Sequence, residues 1–315
     1  MAIIRWGHET PITDIDWLWK PYIPFGKVTI VEGDGGDGKT TMILTVAAML
    51  SNGRRPPTLQ DGHLYDAEPI EPCTTFYLTN EDEISDSSLK RFNRAGGDMT
   101  RFAFSGELEY HMTLKEDELR DVISATAARL VIIDPFQSFL PEGTNFGSIT
   151  RMRSIFTMLA NVAKSTGAAI VLVGHLNKNE GSKDIHRGFG SADIAASVRS
   201  ILMVEIDKHR NRFVRAIKSN FDESDYSPIQ LVFDDLRRLS FKEVNLQDAP
   251  SVETKIDRAS YLLESLLADG SMPVSEINEL MEEEGIGAKT AQRARAQIGA
   301  VLFYDEHNIP CWKLG

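Results

Sequence analysis

Four short stretches of this sequence hold residue types whose spacing could do chemistry on phosphate. The first, GDGGDGKT at residues 33–40, has the spacing G-x-x-x-x-G-K-T. Gly33, Gly35, Gly36 and Gly38 let a loop curl so that successive backbone N–H groups point at one anion, and Lys39 adds a positive charge at the outer phosphate oxygens. Thr40 offers its hydroxyl to Mg²⁺, and a helix beginning here adds the positive end of its dipole. Gly33 to Thr41, with Asp34 and Asp37 among them, is therefore the expected binding segment for the phosphates of ATP. The two acids are unfavourable beside phosphate, but their side chains can point outward.

The other three stretches each end an apolar run with a polar group. LVIIDP places Asp134 where it could hold a Mg²⁺-bound water. LTNEDE places Glu81 as a general base for an attacking water, with Asp82 and Glu83 as competitors for the role. In VLVGHLNK the strand ends with His175, whose neutral imidazole could touch the outermost phosphate and report its loss.

These groups need elements that bring them together. KVTIVE (27–32), CTTFYLT (73–79), RFAFS (101–105), LVIID (130–134) and AAIVLVGH (168–175) read as strands. Between them, the stretches from residue 41, 84–95, 115–128 and 148–166 read as helices. Strands that are apolar along their length and alternate with helices imply an α/β fold with a mostly parallel sheet covered on both faces. In such a sheet the carboxyl ends of the strands carry the ligand. From Arg199 onward, RSILMVEI, RFVRAIKS, IQLVFDD and RRLSFK read as antiparallel strands extending the sheet.

Residues 1–26, with Trp6, Trp17, Trp19, Pro21 and Pro24, read as a lead-in packed on the core, and 52–72 as an irregular insertion. Residues 27–242 form the expected ATPase domain and 243–252 a linker. Residues 253–315 read as helices over 253–268, 273–284 and 287–298 followed by a two-stranded wing, a winged-helix-like layout. Its third helix carries Lys289, Thr290, Gln292, Arg293 and Arg295, a face that could enter a groove of DNA. Glu279, Glu282, Glu283 and Glu284 on the helix before it would oppose a duplex, so docking to a replication or recombination protein is the competing reading.

The formal net charge of −12 argues against a chain coated by nucleic acid over its whole surface, and leaves a local basic loop as the contact. No apolar run approaches the roughly 20 residues of a membrane span. The N-terminal stretch lacks the pattern of a secretory signal, and Cys73 and Cys311 are lone thiols suited to a reducing cytoplasm, so a cytoplasmic protein without a membrane partner is expected.

Taken in order, GDGGDGKTT, LTNEDE, RLVIIDPFQSFL, VLVGHLNK and RGFGSADIAASVRSILMV resemble the RecA-like P-loop ATPases related to RepA-type hexameric replicative helicases. The resemblance covers about residues 20–242. It implies a homo-oligomeric ring, usually a hexamer, with ATP and Mg²⁺ between subunits. It implies that Glu81 holds the position of the catalytic glutamate and His175 that of the γ-phosphate sensor. It also implies that loops near 141–148 and 177–190 face a central channel and touch single-stranded DNA; the second carries Lys178, Lys183, His186 and Arg187. A cation from the neighbouring subunit is part of this pattern, and Arg199 and Lys218 are the candidates, with Arg215 as a substitute. Related helicases carry a Lys-x-Arg pair, whereas this chain has Lys218-Ser219-Asn220.

The function these readings imply is a ring-forming DNA helicase or translocase in replication. An ATP-dependent recombination, annealing or loading factor on single strands is the alternative, and an ATP-switched DNA-binding regulator a third.

Overall fold

The computed structural model describes residues 14–80, 87–105, 114–141, 149–174, 198–207, 209–221, 225–244, 255–267, 270–283, 286–304 and 309–314. The chain separates into two compact units, one holding the described residues up to 244 and one those from 255 onward.

The first unit opens with a short ribbon, β1 (Trp17–Trp19) and β2 (Ile23–Pro24). Then come β3 (Val28–Glu32), α1 (Lys39–Ser51), the hairpin β4 (Thr58–Gln60) and β5 (His63–Tyr65), β6 (Thr74–Leu78), α2 (Ser88–Arg94) and β7 (Phe102–Ser105). After these follow α3 (Glu116–Thr126), β8 (Ala128–Ile133), α4 (Ile149–Thr166) and β9 (Ala169–Val173). The unit closes with β10 (Ser200–Ile206), β11 (Arg212–Ser219), β12 (Ile229–Phe233) and β13 (Leu239–Glu243). Nine strands form one sheet in the order β13-β12-β11-β10-β3-β9-β8-β6-β7. From β10 to β7 all pairings are parallel; β10 to β13 are antiparallel. This is the expected α/β fold, with the antiparallel extension where it was read.

The core lies in two layers because side chains alternate across each strand. Val31, Tyr77, Ile132 and Val171 face a layer that includes Met42, Val46 and Leu50 of α1, Phe92 of α2, and Leu18, Trp19 and Ile23 of the N-terminal ribbon. Ile30, Leu78, Ile133 and Leu172 face a second layer that includes Leu119 and Ile123 of α3 and Met152, Phe156 and Leu159 of α4. Helix α1 is apolar on all sides, and Met42, Ile43, Leu44, Val46, Ala47, Ala48 and Leu50 are fully buried. A helix of that composition belongs between layers, and the ribbon supplies its outer cover. Trp19 fixes the ribbon by donating its indole N–H to Pro57 O at 2.9 Å and by packing edge-on against Tyr22.

Two local readings change. The segment 52–72 is not wholly irregular: Asp61 and Gly62, both at positive φ, close the β4–β5 hairpin. In the second unit the helices Lys255–Leu266, Val274–Glu283 and Ala288–Gln297 pack around Leu263, Ile277, Met281, Ala291 and Trp312. The C-terminal hairpin there, Val301–Tyr304 with Pro310–Lys313, gains a third strand from Met272–Pro273.

Phe92 is fully buried and stacks on Phe102 at 4.3 Å, pinning α2 to the sheet. Phe92→Ala should lower the unfolding free energy by about 3–5 kcal/mol, read by urea denaturation followed by tryptophan fluorescence. A loss below about 1 kcal/mol would show that α2 is not anchored through this ring.

Candidate nucleotide-binding site

The phosphate-loop residues follow β3, which lies at the centre of the sheet. Three glycines take left-handed backbone here, Gly33 at φ 157°, Gly36 at 89° and Gly38 at 103°. Gly33 also has no room for a side chain, since a Cβ would lie 2.3 Å from the Val204 carbonyl oxygen of β10. Among the described residues, an added Cβ at Gly35 or Gly36 would meet nothing within 4 Å. Gly38 caps α1 without a side-chain hydrogen bond, which leaves the amides of the first turn available to an anion.

Lys39 is 4% exposed, and its Nζ donates to Gly33 O at 2.8 Å and Asp34 O at 2.6 Å. Burial holds its pKa below the usual lysine range, while Asp37, Asp134 and Asp34 oppose that shift. The amine thus braces the loop through two of its own carbonyls. Thr40 Oγ1 donates to Asp134 Oδ2 at 2.6 Å. Asp134 directly follows β8, and its backbone N–H donates to Leu78 O of β6 at 2.9 Å. Residues 94 positions apart are therefore joined at the carboxyl ends of parallel strands.

Asp34 is exposed, whereas Asp37 does not point outward. It is 8% exposed and turned inward, and its Oδ2 accepts the Asp34 N–H at 2.6 Å. The physical reason is the tight turn, whose buried amide needs an acceptor. Burial raises the Asp37 pKa, with the Asp34 N–H, Lys39 and Arg212 pulling the other way.

Arg212 and Phe233 were not singled out from sequence. Both flank Gly38, since a Cβ there would lie 3.6 Å from Arg212 Cδ and 3.7 Å from the Phe233 ring, and the guanidinium lies 5.3 Å from that ring's centroid. Strands β11 and β12 carry them, far along the chain from the loop, so no local spacing could have marked them.

Lys218 and Arg199 are brought close to each other but not to Lys39. The register pairs Ser200 with Thr29 and Met203 with Glu32, so Arg199 stands at the end of β10 away from the loop. Lys218 Nζ donates to Val198 O at 2.8 Å, and burial and Arg199 together lower its pKa. Arg215 is held by Glu205 at 2.8 Å within its own chain. Glu81, His175, Lys178, Lys183, His186 and Arg187 lie outside the described residues, as do Asp82 and Glu83.

The donor set fits a nucleoside triphosphate with Mg²⁺. Amides and a lysine match an acceptor-only polyphosphate, and a hydroxyl beside a carboxylate supplies the oxygen ligands that a hard divalent cation takes directly or through water. When bound, ATP supplies the reactive phosphoanhydride and the metal the charge that neutralises its oxygens.

Fold and site together define a P-loop ATPase with a RecA-like core. The chain belongs to the AAA_25 family, described as an AAA domain, which matches residues 3–181. It is similar to the DNA repair protein RadA of Halalkalibacterium halodurans, with 25% identity over 271 residues that cover 83% of this chain and 50% of the relative. RadA of Brucella abortus is 28% identical over 207 residues, 64% of this chain and 38% of that protein. RadA of Mycobacterium tuberculosis is 26% identical over 222 residues, 69% of this chain and 40% of that protein. The chain thus spans half or less of the length of these relatives. Among solved structures, a KaiC-like protein of Pyrococcus horikoshii aligns with a TM-score of 0.49 and 12% identity, covering 73% of this chain and 99% of that one.

The inward Asp37 places a carboxylate within the candidate phosphate loop. Asp37→Asn keeps an oxygen acceptor for the Asp34 N–H and removes the charge, so nucleotide affinity should rise, up to about tenfold or about 1.4 kcal/mol. Because the Asp37 pKa is raised, the wild-type affinity should also increase as pH falls through it, and the variant should lose that component. Titration with a fluorescent ADP analogue across pH reads both; unchanged affinity in the variant would show that the carboxylate is electrostatically silent.

Proposed function

We propose that this chain is an ATP-hydrolysing motor that acts on single-stranded DNA as a homo-oligomeric ring, as a helicase or translocase. The observation that carries the hydrolytic part is the Thr40–Asp134 hydrogen bond at the strand ends beside the glycine loop. In this reading Gly33–Thr41 hold the phosphates, and Thr40 and Asp134 hold Mg²⁺ through oxygen. Glu81 abstracts a proton from the attacking water, and His175 senses the outermost phosphate. Arg212 and Phe233 present a cation and an aromatic face beside Gly38, chemistry suited to a flat purine base.

The DNA part is supported by relatives whose printed name is DNA repair protein RadA. Lys178, Lys183, His186 and Arg187 are the proposed phosphate-backbone contacts, and Arg199 or Lys218 the proposed cation given to a neighbour's site. Residues 253–315 are proposed as a winged-helix-like domain that docks to DNA or to a replication or recombination protein. In its third helix Arg293 is exposed, whereas the Arg295 guanidinium lies 5.6 Å from the Trp312 ring, so the presented face is narrower than the sequence suggests. A cytoplasmic location is part of the same proposal; among the described residues no helix is long and apolar enough to cross a membrane.

The name of the relatives favours repair or recombination as the setting, with the motor loading or annealing single strands, over replication. The two settings differ in assembly. With ATP and single-stranded DNA, electron microscopy should show closed rings if the chain is a ring motor, and filaments or clusters if it is a recombination factor.

Lys39→Ala should abolish ATP turnover, and Glu81→Gln should retain nucleotide binding while losing at least about 100-fold in hydrolysis. Single-stranded DNA should stimulate the wild-type ATPase, and a forked duplex should be unwound. An active preparation that neither unwinds nor responds to DNA overturns the motor assignment, and full turnover by Glu81→Gln moves the base to Asp82 or Glu83.

A further inference from the structure

A buried hydrogen-bond chain runs from the candidate metal site to the start of α2. Asp134 Oδ2, the oxygen that accepts Thr40, also accepts the Tyr77 hydroxyl at 3.3 Å. Ser88 Oγ donates to that same Tyr77 oxygen at 3.2 Å. Tyr77 and Ser88 are both fully buried, and Asp134 is 6% exposed. The order of donation is fixed by chemistry: an ionised carboxylate only accepts, so Tyr77 donates to Asp134 and must itself receive from Ser88.

Packing restrains the tyrosine as well. Its ring lies 5.8 Å from Phe102, which stacks on Phe92 of α2 at 4.3 Å. Tyr77 is thus held at its ring by the α2–β7 aromatic pair and at its hydroxyl by the first residue of α2. A core position in a parallel sheet needs only an apolar ring; a buried hydroxyl there requires partners, and Asp134 and Ser88 are two of them. Ser88 opens α2, the helix that follows the segment bearing Glu81.

We propose that Tyr77 is a positioning residue for Asp134, and that through Ser88 it ties the placement of that carboxylate, and so of the divalent cation, to the position of α2. Thr40 and Tyr77 both donate to one carboxylate oxygen and together restrain it. A shift of Ser88 is transmitted to that oxygen along two hydrogen bonds. This rests on the reading of Thr40 and Asp134 as the cation site.

The test uses the full chain with Mn²⁺ and ADP. Free Mn²⁺ is measured by electron paramagnetic resonance at saturating ADP, and ADP binding without metal by calorimetry. Tyr77→Phe keeps the ring and removes the hydroxyl; Ser88→Ala removes the donor to it. Each should weaken Mn²⁺ binding by about tenfold while leaving metal-free ADP binding unchanged. Ser88→Thr should restore wild-type behaviour, and the double variant should be no weaker than the worse single one. Mn²⁺ affinity within about twofold of wild type in either folded variant overturns the proposal. If Tyr77→Phe does not fold, Ser88→Ala and Ser88→Thr decide alone. A wild-type chain that binds ADP but shows no ADP-dependent Mn²⁺ binding overturns instead the assignment of Thr40 and Asp134 to the cation.

Discussion

The hydrogen bond of 2.6 Å between Thr40 and Asp134 ties the first turn of a helix to the end of a strand two places away in the sheet. It forms only if β3, β9 and β8 run parallel and in register, so that their carboxyl ends finish level. Those strands are apolar on both faces, and each face needs a helical cover. Helices α1 and α2 with the N-terminal ribbon provide one cover, α3 and α4 the other. With both faces occupied, polar chemistry has one place to go, the strand ends, and there the chain puts Gly33 and Asp134. The sheet's burial and the site's location are thus one constraint seen at two scales.

Within the site, charge is balanced at short range. Lys39 is buried among carbonyls and carboxylates, Asp37 supplies an inward negative group, and Arg212 faces that acid from the antiparallel extension. Neither charge would be tolerated alone at such burial. The loop is therefore held in its curled form before any phosphate arrives. Such preorganisation limits the ordering that binding requires.

The sequence made the central architecture readable because its signals are local and strong. β3, β6, β8 and β9 are unbroken apolar runs, and the glycine spacing from Gly33 to Gly38 leaves few alternatives to a phosphate loop. Helix α1 was readable as a helix, but its burial on all sides depends on the Trp19 ribbon, which carries little periodicity. The direction of the Asp37 side chain was not legible because it depends on one backbone amide, that of Asp34. Arg212 and Phe233 escaped because only the pairing of β11 with β10 and β12 brings them to Gly38. Tyr77 lies in the run CTTFYLT, legible only as a strand, and its hydroxyl gains meaning only once Asp134 and Ser88 are placed around it.

The antiparallel extension has a role in this arrangement beyond widening the sheet. Strand β10 sets its Val204 carbonyl against Gly33, so the loop's first turn is shaped by a strand some 170 residues later. Strands β11 and β12 then put Arg212 and Phe233 beside Gly38, on the opposite flank of the loop from the Thr40–Asp134 pair. At its far end β10 carries Arg199 beside Lys218, remote from the chain's own loop. The β10–β11 pair thus has a cation near each of its ends, Arg212 beside the loop and Lys218 with Arg199 at the end away from it.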